Sequence, residues 1–266
     1  RTAPYLAPAP AAPPTPAPPR CVRAAQCAVC KGRRAAAPTA MSFHWPPLES
    51  NPEIFSDYMH TVGLPAQWAF GEVFGFDEDL LAFLPQPVIA VVANVERLKK
   101  QEEKARGDPA LPVQFYMKQT GNLDNACGVI ACVHAVYNNL AAMGGLPEQS
   151  VLGKHLAATS AMTPEERAAA LDSNTDFQAV HVSKAAEGDS AQPSEQSDVR
   201  HHFVAFVLVD GKLVELDGTK AGPLLVAESC DDVLRGTIEV IKQRLEAGEY
   251  SDRLSLMTLN ANPDGM

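Results

Sequence analysis

Cys127 stands in Asp124-Asn-Ala-Cys-Gly-Val-Ile, where a polar turn gives way to an apolar run. From Gly128 to Leu140 apolar residues recur at helical spacing (Ile130, Val133, Val136, Tyr137), so a buried helix is expected to begin just after the cysteine. A thiol at that point faces unpaired backbone N–H groups and the positive end of the helix dipole, and both favour thiolate. A lone Cys-Gly pair also fits a small core cysteine, and Cys132, inside the same helix, fits that simpler role well.

A base for the thiol is found by period-two geometry. Asp210-Gly211 lies between the apolar runs Phe203–Val209 and Lys212–Leu216, the pattern of a two-residue hairpin turn. With that turn, Val209 pairs with Lys212 and Asp217 falls opposite Val204. His202 is then the diagonal neighbour of Asp217 on the same face, roughly 7–8 Å away at the backbone and within reach of a His–Asp hydrogen bond. His201 leaves the opposite face. Cys127, His202 and Asp217 are thus the ingredients of a thiol nucleophile, a base and an orienting acid, in the chain order of papain-like enzymes.

The elements that must position these groups run from Met41 onward. Asn51-Pro-Glu-Ile-Phe predicts a helix capped by Asn51 with Pro52 in its first position. Pro87-Val-Ile-Ala-Val-Val-Ala predicts a buried strand and Val113-Gln-Phe-Tyr a second one, with a charged, mobile stretch over Val95–Pro109 between them. Thr163-Pro-Glu-Glu signals a capping box. Ala185–Arg200 is polar and expected to be a loop, Val233–Leu245 an amphipathic helix, and Leu254–Leu259 a last strand. The sum is one α/β domain, 41–266.

Residues 1–40 differ in kind. They hold 13 alanines, 9 of the 22 prolines, six basic residues and no acid, and are expected to form a disordered, basic Ala/Pro-rich leader. Met41 is the expected start of the folded protein. The leader also fits an organelle transit peptide, though it lacks the usual serines, and a mature protein without it is the alternative expectation. Cys27-Ala-Val-Cys30, with Cys21 upstream, has no second pair to close a four-ligand zinc site, so neither a metal nor another cofactor is expected. With the leader's six bases set aside, 41–266 carries 16 bases against 32 acids, a net charge of −16. That charge repels nucleic acid and suits a basic protein partner. No apolar run approaches the roughly 18 residues of a membrane span, and no framework spacing or secretory signal marks the six cysteines as a disulfide scaffold.

The words around the three residues are more specific than their spacing. Lys118-Gln-Thr-Gly-Asn-Leu-Asp-Asn-Ala-Cys127-Gly, followed by Val133-His-Ala-Val-Tyr-Asn-Asn139, closely resembles the active-site segment of the ubiquitin C-terminal hydrolases. His202-Phe-Val-Ala-Phe and Val209-Asp-Gly-Lys-Leu-Val-Glu-Leu-Asp217-Gly resemble that family's His–Asp hairpin. Pro46-Pro-Leu-Glu-Ser-Asn-Pro-Glu and Gly63-Leu-Pro-Ala-Gln-Trp68 resemble its N-terminal segment, and Gln178-Ala-Val-His-Val-Ser-Lys-Ala-Ala-Glu-Gly the stretch before its active-site crossover loop. The likeness runs from about residue 44 to the end, as in the short single-domain members.

The resemblance implies a papain-like cysteine deubiquitinase: an antiparallel-centred sheet flanked by helices, a knotted chain, and a loop crossing the active site. It implies thiol-dependent cleavage after the C-terminal glycine of ubiquitin, or of a ubiquitin-like protein, on small or unfolded adducts. Cys127 is then the nucleophile, His202 the base and proton donor, Asp217 the group that holds the imidazole, and Gln119 the oxyanion donor. A monomer of the cytoplasm, with the nucleus as second compartment, serving ubiquitin-dependent protein catabolism, is the setting implied. Two features depart from the family pattern. Gln119 stands eight residues before Cys127 rather than six, and the strand after Val92 is short and turns charged in Ala93-Asn-Val-Glu-Arg. A rival is a ubiquitin-binding protein with weak turnover, stopped by the displaced Gln119; a papain-like protease of general specificity fits the family words less well. His134, Trp45, Trp68 and Cys230 are expected to be structural.

Overall fold

The computed structural model describes residues 43–98, 106–187 and 201–265. The leader 1–40, with Cys21, Cys27 and Cys30, lies outside the described residues, as do 188–200 of the expected loop. Helix α1 (Pro52–Val62) starts as the sequence predicts, with Asn51 Oδ1 accepting from the N–H of Glu53 at 2.9 Å and Pro52 in the first turn. Strand β1 (Trp68–Glu72), the short α2 (Glu78–Leu81) and β2 (Val88–Arg97) follow. Then come α3 (Cys127–Tyr137), α4 (Leu140–Met143), α5 (Val151–Thr159), α6 (Pro164–Asp172) and α7 (Thr175–Ala185). The chain closes with β3 (His201–Val209), β4 (Lys212–Leu216), β5 (Leu224–Ala227), α8 (Val233–Glu246) and β6 (Tyr250–Ala261). The predicted capping box at Thr163 and Glu166 opens α6.

The six strands form one sheet in the order β1-β6-β2-β3-β4-β5, and every neighbouring pair is antiparallel. The alternation of side chains divides it into two apolar faces. Ala90, Val92, Ala205, Val207, Val214 and Leu216 face one core, which takes in all of α3. Val91, Ala93, Val95, Val204, Phe206 and Leu213 face the other, covered by Val233, Leu234, Ile238 and Ile241 of α8. All 11 residues of α3 are buried, which explains why its sequence is apolar on every side. Among the described residues, no helix is long and apolar enough to cross a membrane.

Two expectations fail. Val113–Tyr116 is not a strand. Its alternation reflects packing on α3, and its polar groups are met by side chains there: the N–H of Phe115 donates to Asn138 Oδ1 at 3.1 Å, and Asn138 Nδ2 donates back to the Phe115 carbonyl at 2.8 Å. Val95–Pro109 is not a loop from its first residue either, because β2 continues through Glu96 and Arg97, paired with β3 and β6. Residues 99–105 lie outside the described part.

Behind the sheet end that carries His202, Glu215 is fully buried between Lys220 Nζ at 2.8 Å and Arg244, which also donates to the Tyr250 hydroxyl. Removing one partner of such a buried set leaves charge uncompensated. Lys220→Met is therefore expected to destabilise the fold by about 3–5 kcal/mol in urea unfolding; a change below about 1 kcal/mol, the scale of an exposed pair, would contradict this.

Candidate active site

The thiol comes from the first core. Cys127 opens α3, and the cap position before it is Ala126, whose side chain makes no capping hydrogen bond, so the first-turn N–H groups remain available. Gly128 sits in tight packing: a Cβ there would lie 3.0 Å from Phe55 Cζ and 3.4 Å from Leu48 Cδ1. Burial pushes the Cys127 thiol up, but the His202 side chain and the N–H groups of Phe203 and Gly128 outweigh it, and the thiol ends below its ordinary value.

The base and acid come from the second core face. Val209 pairs with Lys212 and Ala205 with Leu216, the register expected from an Asp210-Gly211 turn, and both turn residues have positive φ (50° and 73°). His202 shares the face of Val204 and Phe206, and its Nε2 lies 2.8 Å from Asp217 Oδ1. Nδ1 is then the ring nitrogen left to act on the thiol, whose ionisation the His202 side chain favours. His201 is exposed and does not join them.

Asp217 is held from several sides. Oδ1 also accepts from the Thr219 N–H at 2.9 Å and hydroxyl at 2.8 Å, Oδ2 accepts from Arg97 Nη1 at 2.8 Å, and the backbone carbonyl accepts from the Tyr116 hydroxyl at 2.8 Å. Burial would raise its carboxyl, but His202, Arg97 and Lys220 keep it well below the usual carboxylate range. In turn, burial would lower the imidazole, while the charge and hydrogen bond of Asp217, with the Cys127 contact, raise His202 to about 9. The arrangement favours a thiolate beside an imidazolium.

Gln119 is brought to the same place. Its N–H donates to the Gly218 carbonyl at 2.8 Å, and a Cβ on Gly218 would lie 2.8 Å from that nitrogen. The longer connection to Cys127 is taken up by a turn with Gly121 at φ 67° and with Leu123 buried beneath it. Gln119 Nε2 donates to the Asp124 carbonyl at 2.8 Å, so the loop itself holds the amide.

The residues expected to be structural are so. His134 Nε2 accepts from the Met117 N–H at 3.0 Å, its ring stacks on Tyr116, and burial lowers it to about 4. Trp45 Nε1 donates to Asp172 at 3.0 Å, Trp68 is buried, and the Cys230 thiol donates to the Asp232 carbonyl at 3.2 Å. Sequence reasoning missed Arg97, Thr219 and Tyr116. An Asp followed two residues later by Thr is a local hydrogen-bonding pattern that could have pointed to Thr219; nothing local marked Arg97.

Residues 45–246 match the family model described as ubiquitin carboxyl-terminal hydrolase, family 1. The chain belongs to this family. Ubiquitin carboxyl-terminal hydrolases similar to it include one from Aplysia californica, 38% identical over 207 residues that cover 75% of this chain and 94% of the relative. Isozyme L1 of Homo sapiens is 35% identical over 221 residues, covering 80% and 96%. Among solved structures, the catalytic domain of Trichinella spiralis UCH37, bound to ubiquitin vinyl methyl ester, superposes with a TM-score of 0.66 at 24% identity, covering 82% of this chain and 96% of that one. That likeness extends the family assignment to the fold. In this hydrolase, NMR titration of the His202 ring is expected to give a midpoint of about 9. In Asp217→Asn the midpoint should fall toward or below the ordinary 6.5, because burial then acts without the opposing carboxylate; an unchanged midpoint would contradict the coupling.

Proposed function

We propose that this protein hydrolyses the bond after the C-terminal glycine of ubiquitin, with Cys127 as nucleophile, His202 as base and proton donor, and Asp217 as the group that orients the imidazole. The observation that carries the residue roles is the 2.8 Å contact from Asp217 to one ring nitrogen of His202, the side chain that lowers the Cys127 thiol. The Cys127 sulfur attacks the glycine carbonyl, and the resulting tetrahedral oxyanion is stabilised by N–H groups at the start of α3 and by Gln119. His202 gives its proton to the leaving amine or thiol as the tetrahedral intermediate collapses to a thioester. It then takes a proton from water, whose oxygen attacks the thioester, and returns that proton to sulfur as ubiquitin leaves with a free carboxylate.

A basic partner fits the charge. Glu49, Glu53 and Glu72 line a groove beside the exposed Phe74, within a segment of net charge −16 over 41–266. The adducts proposed are small or unfolded, and the setting is a cytoplasmic monomer acting in ubiquitin-dependent protein catabolism. The direct test is reaction with electrophile-tipped ubiquitin followed by mass mapping. Cys127 should carry the label, Cys127→Ser should abolish turnover while retaining ubiquitin binding, and folded di-ubiquitin should be cut far more slowly than a ubiquitin C-terminal amide reporter. Labelling at Cys132 or Cys230 would overturn the assignment.

A second reading is a ubiquitin-binding protein of weak turnover. It is favoured by one observation, that the Gln119 amide donates to the Asp124 carbonyl. Gln119→Ala separates the two. A donor that turns to the oxyanion during reaction should cost about 10²–10³ in kcat when removed, whereas an amide engaged only with its own loop should cost little.

A further inference from the structure

β2 ends in Glu96-Arg97, a charged pair where the apolar pattern alone predicts that the chain leaves the sheet. It stays. Glu96 pairs with His201 and accepts from the Ser251 hydroxyl at 2.8 Å, while Arg97 pairs with Tyr250. Alternation from Val91, Ala93 and Val95 puts Arg97 on the face covered by α8, which is also the face of His202 and Asp217. The Arg97 side chain is only 7% exposed.

Its guanidinium reaches from β2 past the start of β3 to the far side of the acid. Nη1 lies 2.8 Å from Asp217 Oδ2 and 3.2 Å from Thr219 Oγ1. The other carboxylate oxygen, Oδ1, is taken by His202 and by both donors of Thr219. One oxygen therefore serves the imidazole and the other serves Arg97. The last torsion of an aspartate is soft and roughly two-fold, so a donor on Oδ2 resists rotation that would draw Oδ1 off the imidazole. Both contacts come from the one nitrogen Nη1, which the planar, always-charged guanidinium holds in a fixed direction as a flexible ammonium does not.

We propose that Arg97 is a positioning residue of this site, clamping Asp217 by Oδ2 so that Oδ1 stays aligned on His202. It acts through Asp217. The charged and titratable groups facing Asp217 are His202, Arg97, Lys220, Glu215, Tyr116 and His134, and those facing His202 are Asp217, Cys127 and Arg97. Arg97 hydrogen-bonds Oδ2, the oxygen opposite the one that His202 takes. The inference rests on the roles proposed above for Cys127, His202 and Asp217, and it gives a purpose to the charged end of β2 in Ala93-Asn-Val-Glu-Arg.

The test is a double-mutant cycle read by kcat and KM on a ubiquitin C-terminal amide reporter, with Arg97→Met, Arg97→Lys and Asp217→Asn alone and with each Arg97 change combined with Asp217→Asn. Arg97→Met should lower kcat by about 10- to 100-fold, the scale of a misaligned catalytic group, with KM nearly unchanged. Arg97→Lys should recover part of the loss. In the Asp217→Asn background, Arg97→Met should cost less than about twofold, since coupled residues are not additive. Wild-type kcat in Arg97→Met, an equal loss in both backgrounds, or a rise in KM alone would overturn the role. If Arg97→Met fails to fold, by ubiquitin binding and urea midpoint, the Arg97→Lys arm decides on the same non-additivity. Wild-type kcat in Asp217→Asn would instead refute the triad, and the role of Arg97 with it.

Discussion

The hydrogen bond from His202 Nε2 to Asp217 Oδ1 crosses the β3–β4 hairpin in an environment that, left to itself, disfavours both charges. Burial pushes a histidine toward its neutral form and an aspartate toward its protonated form. Paired, the two reverse this, and the imidazolium is held to about 9. That charge then offsets the burial of Cys127 and brings the thiol below its ordinary value. The three ionisations are one coupled system, and each depends on the others being in place.

The geometry of that system follows from the sheet. The thiol arrives on α3 from one apolar core, while the histidine and aspartate leave strands on the face of the other. They meet where β3 begins, so each group is carried by a helix start or a strand end rather than by a long loop, which suits a site needing tight alignment. Close backbone approach completes it: Gly128 lets α3 lie against Phe55, and Gly218 lets the Gln119 segment lie against the turn after Asp217. Tyr116 secures the same turn from below, with its hydroxyl on the carbonyls of Asp217 and Lys220 and its ring stacked on His134.

Local rules made the chemistry legible before the fold was known. Asp210-Gly211 specifies a turn with positive φ at both positions, and a hairpin of that type has one register, so His202 was separable from His201 by period two alone. The polar-to-apolar change at Cys127 likewise located the helix start. What escaped was long-range satisfaction. Phe115 looks like a strand residue, but its N–H bonds Asn138, as the Met117 N–H just beyond bonds His134, both in the segment following Cys127, which no alternation reveals. Glu96 and Arg97 look like the beginning of a charged loop, but their partners Ser251 and Asp217 lie more than a hundred residues away in sequence. The two-residue excess before Cys127 was visible as an insertion, and its consequence, an amide held by the Asp124 carbonyl, required the structure.

The coupling of thiol to imidazole is measured most directly by titrating thiolate absorbance in the ultraviolet, taking the difference between the protein and its Cys127→Ser form. A thiolate that forms below the ordinary thiol range, and that in His202→Ala forms only at higher pH because burial is then opposed by the Phe203 and Gly128 N–H groups alone, is the predicted result. A Cys127 thiol that titrates in the ordinary range with and without His202 would contradict the account.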